Sequence, residues 1–176
     1  MILNRIEIET LVLAHGMIEG YEPDQLTNFG LSVTAGPTAF LEVPSISRSP
    51  VPLDGSAENQ YTVDEYRLES SALVVPPGGF VTVYCEAVFK MPARVMGRCY
   101  SVGTPSLRGF GMASDVILQP GWEGRLLLPF KNLNLYHSVV VKRGDVLGQV
   151  QFHSVPPQES PILTAGKLHN LGATVK

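Results

Sequence analysis

The run GRCYSVGTPSLRGFGMASDVILQPGW, residues 97–122, gathers most of the side chains that could do chemistry. Arg98 and Arg108 flank a loop that holds Ser101, Gly103, Thr104, Pro105 and Ser106. A guanidinium fork matches two oxygens of a phosphate, and glycine lets backbone N–H groups come close to it. The same residues also read as a polar loop with two solvated arginines, and spacing alone favours that plainer reading. Asp115 precedes the apolar run Val116-Ile117-Leu118, where a carboxylate can cap a turn, carry surface charge or touch a ligand. Trp122 is the one tryptophan, and its large ring predicts core packing. Cys99 follows Arg98, and a neighbouring cation can lower a thiol pKa. No histidine lies close in sequence to act as its base. Gln149, within the apolar VLGQV, could read a base edge with its amide or simply face solvent.

The elements that position these residues are mostly short strands. Seventeen glycines and 14 prolines in 176 residues point to many turns rather than long helices. Residues 3–19 are the one good helix candidate, with Leu3, Ile6, Leu11 and Ala14 at helical spacing and Gly16 as a stop. FGLSVTAG reads as a strand ending at Gly36. YTVDEYRLE reads as another, and SALVVPPGGFVTVYCEAVFKM contains two, split by the turn Pro76-Pro77-Gly78-Gly79. VMGRCYSV, SDVILQP, GRLLLPFKN and HSVVVKRGDVLGQVQFH follow at a spacing typical of a β barrel or sandwich. Residues 44–60, rich in Pro and Ser, read as a long surface loop. The expected division is one domain over 1–155 and a C-terminal arm over 156–176.

Composition excludes several functions. Hydrophobic residues at 44% can form a core, and charged residues are few at 16%. A net charge of −3 offers no basic field for a nucleic-acid backbone. No apolar run approaches the roughly 18 residues of a membrane span. The first residues, MILNRIEIET, carry acids where a signal peptide needs an apolar core, so a cytoplasmic location is expected. Cys85 and Cys99 lack C-x-x-C spacing and are expected to be reduced. His15, His137, His153 and His169 are scattered, with no metal-ligand spacing, so no metal site is expected.

Three stretches together resemble the dCTP deaminase branch of the dUTPase superfamily. They are IEGYEPDQLTNFGLSVTAG, VPPGGFVTVYCEAVFKMPARVMGRC and LQPGWEGRLLLPFKN with the later VKRGDVLGQVQF. The resemblance implies a mainly β fold, a distorted β-clip barrel with a short N-terminal helix, assembled as a homotrimer with nucleotide pockets between subunits. It implies that Arg98, in the place of the family's G-R-S segment, and Arg108, as the following arginine, hold phosphates, and the hydroxyls of the loop between them are added as candidates from their residue type. Ser101 and Ser106 are the serines proposed here. Asp115, Gln119 and Gln149 are the candidates for sugar or base contact. Magnesium would come only with a bound triphosphate, and no other cofactor is implied.

The sequence departs from the family pattern where the chemistry lies. The aspartate expected before P-G-W is Gln119, the glutamate of L-E-x-x-N falls on Pro129, and the serine of G-R-S is Cys99. The loop between Gly97 and Gln119 is also longer than usual. Deamination needs a proton carrier between attacking water and leaving ammonia, and losing one costs about 10²–10⁴ in rate. Proline has no titratable group and a glutamine amide takes no proton. The expectation is therefore a non-catalytic relative that binds and sequesters a nucleotide or a nucleotide-derived signal. Two alternatives stand beside it: an active enzyme with a relocated carboxylate (Glu123 or Asp115), and a trimeric platform that binds a protein through the 44–60 loop or the arm.

Overall fold

The structure, a computed structural model, describes residues 1–43 and 63–156. The expected 44–60 loop and nearly all of the expected arm lie outside the described residues. Helix α1 (Arg5–His15) leads into β1 (Ile18–Glu19), β2 (Leu26–Thr27) and the long β3 (Gly30–Glu42). Then come β4 (Val63–Arg67), β5 (Leu73–Val75), β6 (Phe80–Lys90) and β7 (Val95–Tyr100). A short helix α2 (Gly103–Leu107) precedes β8 (Phe110–Met112), β9 (Val116–Leu118) and β10 (Glu123–Asn132). Strands β11 (Val139–Val141) and β12 (Val146–Ser154) complete the described chain.

One curled sheet runs in the order β8-β10-β6-β3-β12-β7-β9, and β5 and β11 form a separate antiparallel pair. The mainly β architecture is as expected. Period-two alternation builds the core. In β6 every second residue is buried, so Val81, Val83, Cys85, Ala87 and Phe89 point inward. In β10 the inward set is Leu126, Leu128, Phe130 and then Asn132, a polar side chain at a core position.

The helix is shorter than its expected range, and its apolar face differs. Asn4 accepts the Glu7 N–H at 3.1 Å while the Glu7 carboxylate accepts the Asn4 N–H at 2.8 Å, which starts α1. Gly16, at φ +60, ends it as expected. Ile8 is the buried residue, Ile6 is exposed, and the buried Leu3 precedes the helix.

Two strand readings and one loop reading are corrected too. The strand from Gly30 does not end at Gly36. It bends there, with a register shift between Ala35 and Ala39, and goes on to Glu42, so it serves β12 with one half and β6 with the other. The segment from His137 to His153 is two strands. Asp145 folds it at residues 142–145, its carboxylate accepting the Lys142 N–H at 2.8 Å. The loop between Ser101 and Arg108 contains α2. Trp122 packs half-buried against the core, in line with the core packing its ring predicts.

Candidate functional site

Strand β7 alternates strictly, so Val95, Gly97 and Cys99 face the core while Arg98 faces out. Burial pushes the Cys99 thiol up to about 12, with nearby Cys85 and Asp115 adding to the rise, and Cys85 is likewise pushed to about 12 by burial. Both cysteines are free and buried, and a thiol of that kind is a poor nucleophile. Arg98 donates to Asp115 Oδ2 from Nε at 2.9 Å and from Nη2 at 2.5 Å. The pairing of β7 with β9, Arg98 opposite Ile117, brings these two residues together.

Ser101 and Ser106 meet across the start of α2, their hydroxyl oxygens 2.6 Å apart. Arg108 caps the other end of that helix, its N–H donating to the carbonyls of Thr104 and Pro105. It also lines a cleft of about 260 Å³. The opposite wall is apolar, made by Val139, Val140, Val141 and Val146, and Thr104 and Asp145 add polar groups. Ligand pockets usually run to roughly 300–1,000 Å³, so this cleft lies just below that range.

The other expected residues stand apart from the cleft. Arg98, Ser101, Ser106, Asp115, Gln119 and Gln149 do not line it. The Gln149 amide is occupied within the chain: Nε2 donates to Thr27 Oγ1 at 2.8 Å and Oε1 accepts from the Tyr100 hydroxyl at 3.4 Å. Gln119 is exposed, and its carbonyl accepts the Trp122 N–H at 3.1 Å across the Pro120-Gly121 turn. Pro129 sits mid-strand in β10 opposite Thr82. Its carbonyl accepts the Ala113 N–H at 2.8 Å just past the end of β8, whose last pair is Met112 with Phe130. The N–H that proline lacks would point to that same side, where the ladder is already ending, so the strand tolerates it.

Of the two carboxylates proposed as substitutes, Asp115 is paired with Arg98, and Glu123 is exposed at the start of β10, opposite Lys90. Among the described residues no group of three or more His, Cys, Asp or Glu could hold a metal ion.

Sequence reading missed Asn132 and Asn134. Asn132 is fully buried; its Nδ2 donates to the carbonyls of Val75, Pro76 and His137 at 2.9–3.0 Å. Its Oδ1 accepts from the Asn134 N–H at 3.1 Å and from Asn134 Nδ2 at 2.9 Å. The available signal was an asparagine at an inward position of an otherwise apolar strand.

The curled sheet and the cleft beside α2 define a protein of the dUTPase and dCTP deaminase fold. The structure superposes on 2'-deoxycytidine 5'-triphosphate deaminase from Agrobacterium tumefaciens with a TM-score of 0.68 at 19% identity, covering 88% of this chain and 48% of that one. This chain thus spans about half the length of that structure. A dUTPase from phage phi11 of S. aureus matches with a TM-score of 0.52 at 10% identity, over 85% of this chain and 96% of that one. The chain belongs to the dCTP deaminase-like family, whose model matches residues 2–155. It is 25% identical over 168 residues to a dCTP deaminase of Halorhodospira halophila, covering 86% of this chain and 85% of the relative. It is 29% identical over 128 residues to a dCTP deaminase of Erythrobacter litoralis, covering 66% and 65%, just under two thirds of that protein.

Proposed function

We infer that this chain binds a nucleotide, or a signalling molecule derived from one, through its phosphates and holds it without converting it. The observation that carries this reading is Pro129. It occupies the β10 position where the family resemblance places the proton-carrying glutamate, and it lies within regular strand pairing rather than in a distorted segment. The names of the relatives support a nucleotide as the ligand class. Arg108, exposed beside an apolar wall, suits a ligand with a phosphate at one end and a flat ring at the other.

A homotrimer with pockets between subunits belongs to the same proposal. Exposed large apolar side chains support it: Leu107 is 88% exposed, Leu135 78% and Tyr136 85%. A cytoplasmic location, where free nucleotides are, completes the reading. Among the described residues no helix is long and apolar enough to cross a membrane.

The test is incubation of the purified protein at high concentration with a nucleotide extract and with dCTP alone, followed by heat release and mass spectrometry. Unmodified nucleotide in near-stoichiometric amount is the expected result. dUTP or dUMP accumulating with time would replace this reading with the active-enzyme one. Asp145, the carboxylate on the cleft, would then be the first residue to substitute.

A further inference from the structure

The two walls of the cleft share one buried anchor. On one side, Asn132 Nδ2 holds the carbonyls of Val75 and His137. Val75 is the register partner of Val139, and His137 leads directly into β11, so these bonds fix the valine wall. On the other side, Asn132 Oδ1 holds the Asn134 amide, and Asn134 Nδ2 donates to the Arg108 carbonyl at 2.8 Å. Arg108 is thereby held at both backbone ends, its N–H by the last turn of α2 and its C=O by Asn134.

Gly109 shows how tight this join is. It sits at φ +72, and a Cβ there would lie 2.9 Å from the Asn134 side-chain amide. Its carbonyl accepts the Leu133 N–H at 2.7 Å, which clamps the two segments together. Asn132 is also the one buried polar or charged side chain among the described residues. A polar group in a core requires satisfied bonds, and a fully satisfied one specifies a unique arrangement of its partners.

We propose that Asn134, locked in place by Asn132, is a positioning residue for Arg108, and that this amide pair sets the gap between the arginine and the valine wall. Neither asparagine touches the ligand. The inference rests on reading Arg108 as a phosphate contact, and it makes the backbone of Arg108, rather than the charge alone, the source of the site's geometry.

The experiment is a double-mutant cycle of Arg108→Ala and Asn134→Ala, with Asn134→Asp as a same-sized variant that lacks the amide donor. Binding of inorganic tripolyphosphate and of dCTP is measured by calorimetry. In parallel, the NMR order parameter of the Arg108 Nε–H is measured without ligand. Arg108→Ala should weaken tripolyphosphate binding by about tenfold or more. Asn134→Ala and Asn134→Asp should each weaken it by roughly three- to tenfold and lower the Arg108 order parameter. The double variant should bind no worse than Arg108→Ala alone.

Unchanged binding and an unchanged order parameter in both Asn134 variants would overturn the positioning role. So would a loss in Asn134→Ala that adds in full to that of Arg108→Ala, because the effect would then not pass through Arg108. If Arg108→Ala binds like the parent while Asn134→Ala still loosens Arg108, the positioning stands and the phosphate reading falls.

Discussion

The outer face of β7 and β9 and the cleft beside α2 draw their cations from one short run of sequence, yet they are held in different ways. Arg98 meets Asp115 as one side chain against another, at 58% and 40% exposure. An exposed pair of that kind contributes about 0–1 kcal/mol, and salt screens it. Among the described residues no such bond is seen for the Arg108 side chain, but its backbone is tied through Asn134 to a buried amide. A surface ion pair spends its cation on a neighbour. A backbone clamp leaves the cation available and fixes where it starts from. The lesson is that Arg98, although it sits in the better-matched motif, must first give up Asp115 before its guanidinium can hold anything else.

The first way to break this comparison is to test which way β7 faces. If Cys99 points inward beside the outward Arg98, iodoacetamide at about pH 8 should alkylate neither Cys99 nor Cys85 in the folded protein. A thiol pushed up to about 12 by burial should react on the order of a thousandfold more slowly than a free one. Mass spectrometry showing rapid native labelling of Cys99 would reverse the face assignment of Arg98.

Next in size is the buried hub. Asn132→Leu keeps the branched heavy-atom shape but leaves the Val75, Pro76 and His137 carbonyls and the Asn134 N–H without their partner. Urea unfolding should show a loss of about 3 kcal/mol. A loss below about 1 kcal/mol would mean that the cleft walls are fixed by something else.

A smaller effect separates the two arginines directly. Asp115→Asn releases the Arg98 guanidinium and should change stability by less than about 1 kcal/mol. If Arg98 shares the phosphate site, tripolyphosphate affinity should rise by roughly two- to fivefold, on the scale of an exposed ion pair. Unchanged affinity would confine binding to the Arg108 side.

The smallest effect concerns the turn that carries Asp145. Arg143 donates to both oxygens of Glu86, at 2.9 and 2.8 Å, and ties that turn to β6. This hydrogen bonding holds the Glu86 carboxyl below its usual 4.5. A folded value lower than the unfolded one means that the stabilisation is complete above about pH 4.5 and fades as pH falls through the folded value. Glu86→Gln should therefore unfold more easily than the parent at pH 6, with the gap closing in acid. A gap that does not narrow as pH falls would assign the effect to packing.

The scaffold was largely legible in the sequence, and the site only partly. Period-two patterning announced β6 and β10, and the Pro76–Gly79 turn between β5 and β6 stood where expected. Gly16 marked the helix end. Patterning failed where a strand continued through a bend at Gly36, because a glycine next to a proline reads as a stop. It failed again at the apolar face of α1, where Leu3 and Ile18 fill the core from outside the helix.

Sequence by itself determined the residue types: two arginines near paired serines, a proline where a proton carrier is expected, and cysteines with no base beside them. These are properties of single positions and short spacings, so they survive without coordinates. Only the tertiary structure decided which arginine is paired, that the Gln149 amide is taken up by Thr27 and Tyr100, and that Asn132 and Asn134 join both sides of one cleft. Each of those depends on strands distant in the chain lying side by side, and sheet pairing is a long-range choice that local patterning does not encode.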